Sequence, residues 1–163
     1  MTDPINKIQF KLLLSRNQFL ALLTSLKAKT VSITGLSLEP LDEGCLSVLR
    51  FVTNNVPITQ QTLIELGLEF TTKTVLLLTV PSVPGALQVL FVKLYCYVRI
   101  IASYIDESLG QIVEFDNIEL ARRVLTEPLA ACPEPIVPII SNPCNSDTLC
   151  YKPCIKRYSI CPI

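Results

Sequence analysis

Slid along itself by 67 residues, the chain meets its own pattern again. Ile8-Gln-Phe-Lys-Leu-Leu-Leu-Ser15 falls on Val75-Leu-Leu-Leu-Thr-Val-Pro-Ser82, Phe19-Leu-Ala-Leu-Leu23 on Ala86-Leu-Gln-Val-Leu90, and Val31-Ser-Ile-Thr34 on Val98-Arg-Ile-Ile101. Gly44 and Gly110 match at 66, one residue less in the intervening turn. One spacing kept across several elements marks two copies of a single unit, so the fold must be one that can be built twice in succession.

Each copy has the same order of elements. A short stretch rich in Val, Ile, Leu and Phe comes first, at 6–14 and 73–80, and reads as a buried or half-buried strand. A helix follows. In the first copy Asn17 is the expected N-cap, with Phe19, Leu22, Leu23 and Leu26 at helical spacing. In the second, Ser82 and Pro84 precede a stripe of Leu87, Leu90, Phe91 and Leu94. Two strands around a glycine turn come next, 30–38 and 45–53 about Gly44, then 98–105 and 111–115 about Gly110. A second helix closes each copy. Residues 57–66 begin at Pro57 and stop before Gly67, and 117–126 are capped by Asp116 or Asn117. Leu68 to Thr72 supply a fourth strand to the first copy, whereas Pro128 and the prolines after it leave that of the second weak or missing. The expected fold is α+β: two ferredoxin-like βαββαβ units at 5–72 and 73–129, antiparallel sheets with helices on one face, then an irregular tail at 130–163.

Residues 5–127 then resemble a tandem ACT-domain protein. The resemblance is carried by Thr79-Val-Pro-Ser-Val-Pro-Gly-Ala-Leu87 and by the run from Gln111 to Leu125. In that family a Pro-Gly turn joins first strand to first helix, and an acidic or amide pair joins third strand to second helix. Pro84-Gly85 and Asp116-Asn117 match, as do Asn54-Asn55, while Asn17-Gln18 stand where the first copy lacks Pro-Gly. The resemblance implies a non-enzymatic, paired regulatory module that senses a small ligand, an amino acid, near the first strand–helix loop. A helix N-terminus offers unpaired N–H groups to a carboxylate, and a glycine there allows close approach. The implied site is Ser82, Val83, Pro84, Gly85 and Ala86, with Arg16, Asn17 and Gln18 as a degenerate counterpart. The same residues read without the resemblance make a tight turn and a helix cap.

Composition narrows the alternatives. There is no histidine among 163 residues, which removes imidazole-based nucleophilic triads and histidine zinc sites. Fourteen basic and 14 acidic side chains with no basic run argue against a nucleic-acid partner. No secretory leader is recognisable, and Gln88, Lys93 and Arg99 interrupt the most apolar stretch, so a cytoplasmic protein without a membrane partner is expected. Asp106-Glu107 read as solvated turn carboxylates, and Tyr95, Tyr97 and Tyr104 as packing residues or pocket walls. The apolar helix at 84–96, with Ala86, Val89 and Val92 outside its buried stripe, suits pairing into a homodimer.

Five of the seven cysteines fall in the tail, at 132, 144, 150, 154 and 161. Cys144, Cys150, Cys154 and Cys161 form a candidate four-thiolate set for zinc or another thiophilic metal, with Lys152, Lys156 and Arg157 favouring thiolates. Disulfide staples, reduced thiols, or a tail whose Ile136, Val137, Ile139 and Ile140 cover a sheet edge are the competing readings. The alternative function is that the tail works through metal or thiol-redox chemistry, or docks a protein partner, with the repeats as its scaffold. Cys45 and Cys96 read as core residues.

Overall fold

The computed structural model describes residues 3–41 and 45–127, so the turn at Gly44 and the tail lie outside the described residues. Ten elements follow in order: β1 (Ile5–Ser15), α1 (Arg16–Ala28), β2 (Ile33–Leu41), β3 (Leu46–Thr53), α2 (Val56–Glu65), β4 (Thr71–Leu78), α3 (Ala86–Tyr95), β5 (Ile100–Ile105), β6 (Gln111–Phe115) and α4 (Ile118–Thr126). Strand–helix–strand–strand–helix thus occurs twice. All the strands form one antiparallel sheet in the order β2-β3-β1-β4-β6-β5.

A single six-stranded sheet therefore replaces the separate sheets expected. The fourth strand placed at 68–72 and the first strand placed at 73–80 are one continuous strand, β4, and the boundary between 72 and 73 falls inside it. β4 pairs on one side with β1 and on the other with β6. Its ladder with β1 runs from Ile5↔Leu77 to Lys11↔Thr71 and is centred on Ile8↔Thr74. Each half's first strand thereby occupies the fourth-strand position of the other.

Two apolar clusters lie under the helices and correspond position by position. Phe10, Leu12 and Leu14 match Leu76, Leu78 and Val80, an offset of 66; Leu22 and Leu26 match Leu90 and Leu94, an offset of 68. Val31 and Val98 keep 67, and Phe51 and Leu63 match Val113 and Leu125 at 62. The uniform offset of 67 is corrected accordingly. In a strand a slip of one residue exchanges the faces, so the true correspondence is the one that keeps both cores buried. Leu87, expected in the buried stripe, is 47% exposed for the same reason, because its helix is shifted by one position.

Caps fix where the helices start. α1 is capped by Ser15, not Asn17: Ser15 Oγ accepts from Gln18 N, and the Gln18 side chain accepts from Ser15 N at 2.8 Å. Asn55 caps α2 through Ile58 N, and Asn117 caps α4 through Leu120 N. The residue before each of these clamps the start of the neighbouring edge strand. Asn54 exchanges two hydrogen bonds with the Ser32 backbone, and Asp116 does the same with Arg99. The amide or acidic pair is therefore one structural device used twice.

The sheet curls until its edges touch. Gly35 of β2 bridges Asp106, just past β5, and Glu107 N donates to Thr34 O at 2.6 Å. Both edge strands carry a register irregularity at matching places, between Ile33 and Gly35 and between Ile100 and Ala102, which sharpens the local bend. Gly35 is closely fitted at the seam: a Cβ there would lie 2.7 Å from Ile112 Cδ1 and 3.3 Å from Ile105 O. The face away from the helices is thus enclosed, and Val52, Val75, Leu77, Tyr104 and Ile112 pack inside it. Among the described residues no helix is long and apolar enough to cross a membrane.

Candidate functional site

The loop between β4 and α3 forms an open groove of about 570 Å³. Val80, Val83, Val89 and Leu90 supply apolar walls, Pro81 and Pro84 stiffen the loop, and among the described residues Lys93 is the only charged one in the lining. Gly85 is the N-cap of α3, in the left-handed region at φ +84°, with no side chain capping the helix. Ala86 N donates to Val83 O and Val89 N to Gly85 O, so the uncapped first-turn donors are those of Leu87 and Gln88. Ser82, Val83, Pro84 and Gly85 are exposed and Ala86 is half-buried. The sequence-derived residues Val83 to Ala86 therefore line one concave surface; Ser82 is in the same loop but not in the lining.

Arg16, Asn17 and Gln18 occupy the matching place in the first half. There β1 runs directly into α1 with no loop, and the Ser15 side chain takes the Gln18 N–H, the counterpart of the Gln88 donor that Gly85 leaves open. Arg16 and Asn17 are exposed on the first turn.

A second polar constellation lies inside the curl of the sheet, where no site was expected. Each of the six strands contributes one residue: Gln9, Glu39, Arg50, Lys73, Tyr104 and Glu114. Gln9, fully buried, donates from Nε2 to Glu114 Oε2 at 2.7 Å and accepts the Tyr104 hydroxyl at 2.8 Å. Glu114, 4% exposed, also meets Lys73 Nζ at 3.2 Å and Arg50 Nε at 3.6 Å, while Arg50 NH1 donates to Glu39 at 3.1 Å. Burial raises the Tyr104 hydroxyl well above its ordinary value; the carboxylates of Glu114 and Asp106 push the same way and Arg50 opposes them. The network joins the halves, since Gln9, Glu39 and Arg50 come from the first and Lys73, Tyr104 and Glu114 from the second.

Three further readings are corrected. Asp106 is not solvated: it is 4% exposed, and its Oδ2 accepts from the Ser108 hydroxyl at 2.8 Å. Tyr104 is a network member rather than mere packing. Cys45 and Cys96 are half-buried and disulfide-bonded, not core thiols. Cys144, Cys150, Cys154 and Cys161 lie outside the described residues; among those described, no group of three or more His, Cys, Asp or Glu is placed to hold a metal.

No family model and no curated protein matches the sequence. Two solved structures are similar in fold. One is protein BT0572 from Bacteroides thetaiotaomicron, 16% identical, with a TM-score of 0.66 over 76% of this chain and 89% of that one. The other is a chain of the structure of aspartokinase alpha and beta subunits, 15% identical, with a TM-score of 0.51 over 76% of this chain and 95% of that one. At such identities the likeness is one of fold: an α+β arrangement of an antiparallel sheet and helices.

Proposed function

We propose that this chain is a non-enzymatic regulatory protein that binds a small carboxylate metabolite, foremost an amino acid, in the groove between β4 and α3. One observation carries the reading: α3 begins at a left-handed glycine with no side-chain cap, beside an apolar groove whose charged lining residue is Lys93. A carboxylate suits the open donors of Leu87 and Gln88 and the positive helix end, and an apolar side chain suits Val80, Val83, Val89 and Leu90. Among the described residues no carboxylate lines the groove, so selectivity rests on the acid and apolar parts of the ligand rather than on its ammonium. The ACT-like fold supports the reading. Pairing of two copies through the exposed face of α3 belongs to the same proposal, with Val89 at 71% exposure.

The test is a thermal-shift and calorimetric screen of the full chain against all amino acids and their 2-oxo acids. A ligand at a hundred times its Kd adds about 2.7 kcal/mol to stability. Val89→Glu sets a carboxylate at the groove without disturbing the core, and it should abolish the shift. Absence of a shift with every compound overturns the proposal.

A further inference from the structure

We propose that a notch in the sheet, between the end of β1 and the start of β4, captures the carboxyl-terminal residue of an extended peptide whose last side chain is apolar. β1 runs on to Ser15, but its ladder with β4 stops at Lys11↔Thr71. Leu12–Ser15 therefore have β3 on one side and, among the described residues, no strand on the other. Two hydrogen bonds show which way their peptide groups face. Lys11 O accepts from Thr71 Oγ1 at 3.4 Å and so points toward β4, and Ser15 N donates to the Gln18 side chain at 2.8 Å rather than to β3. Peptide groups alternate in direction along a strand, so Leu13, between these two, turns both its N–H and its C=O into the notch. Among the described residues no backbone hydrogen bond from the incoming segment 67–70 meets them. An open N–H and C=O on one residue is the pairing unit that an added strand uses.

The surroundings select the occupant. An open groove of about 560 Å³ lies at the notch, with Leu13, Val48 and Phe70 among its apolar walls and Lys11 and Glu69 as its charged residues. Leu13 is 53% exposed, and neither Lys11 nor Glu69 has an ion-pair partner among the described residues. A segment that pairs with Leu13 antiparallel to β1 lies on the line of β4 and runs toward it, so Thr71 blocks its continuation. It must end there. A chain ending opposite Leu13 sets its terminal carboxylate at the Leu13 N–H and on the Lys11 side of it, where the ammonium balances the charge. Its last N–H donates to Leu13 O, and its last side chain stands on the face that carries Leu13 and Val48, which are cross-strand partners. The opposite strand direction would set a terminal ammonium against Lys11. Glu69 favours a basic side chain over an acidic one further up the peptide.

Fluorescence anisotropy of the full chain with a labelled hexapeptide tests this, the peptide having lysine third from its end, valine last and a free carboxylate. The same peptide as a terminal amide should bind about tenfold more weakly, through loss of a charge-assisted contact. Lys11→Gln should weaken the free acid by about the same factor and leave the amide unchanged, a pattern that a general loss of folding cannot produce. On binding, the Leu13 amide should exchange about tenfold more slowly, with β6 amides unchanged. Val89→Glu should bind the peptide as the parent does, which separates the notch from the groove at α3. No binding overturns the proposal, as do equal binding of acid and amide, binding without protection of Leu13, and loss of binding in Val89→Glu. Displacement of the peptide by an equal concentration of free valine also overturns it, assigning the notch to a single amino acid.

Discussion

Replacing Glu114 by leucine removes the centre of the internal network and leaves the Arg50 guanidinium buried. Arg50 Nε already lacks a hydrogen bond and has only the carboxylate 3.6 Å away, and its other anionic partner, Glu39, is 59% exposed and offers a weak, solvent-screened contact. Breaking a buried pair from one side costs about 3–5 kcal/mol. Gln9 Nε2 loses its acceptor as well, whereas Lys73, with 42% of its side chain exposed, returns to water at little cost. The expected loss is therefore about 3–5 kcal/mol, most of it the stranded charge. Arg50→Met in the same chain should recover much of it, giving a coupling of about 2 kcal/mol or more in the double-mutant cycle. Urea unfolding followed by circular dichroism, with m unchanged across the four chains, measures this directly. A single-variant loss under about 1 kcal/mol, or additivity of the two substitutions, would refute the reasoning.

Tyr104→Phe should cost about 1 kcal/mol at neutral pH through the lost hydrogen bond to Gln9. The hydroxyl is raised in the fold, so its contribution is fully present below the ordinary tyrosine value near 10 and falls as pH rises above it. The loss of stability between about pH 9 and 11 should accordingly be shallower in the phenylalanine chain, and parallel curves would contradict the assignment. Gly35→Ala should cost about 1–3 kcal/mol, because its methyl meets Ile112 at the seam; a neutral Tm would show that the edges part readily.

Much of the fold was legible in the order of the elements. Apolar spacing placed all four helices, and the Gly67 stop and Asn117 cap stand where local rules put them. What local rules miss is sharing. Nothing in Thr71–Leu78 announces that it serves both halves, and the split into two strands there follows from treating each copy as complete. The internal network was hidden for a related reason. Lys7, Gln9 and Lys11 alternate with Ile8, Phe10 and Leu12, the pattern of a strand with one wet face, and only closure at Gly35 encloses Gln9. A glycine within an edge strand was the available clue. Pro84-Gly85 mark the turn between β4 and α3 locally, whereas the Ser15 cap is hidden because it is also the last residue of β1.

Two complete βαββαβ units require eight strands, and the described residues make two with six because β1 and β4 each serve twice. No peptide bond exists at which it can be cut into two finished domains. Severed at the β4–α3 loop, the second half would lose its first strand, and severed before β4 the first half would lose its fourth. The body should therefore unfold in a single cooperative transition. A ligand that stiffens the groove at the end of β4 acts on a strand whose other edge already belongs to the opposite half.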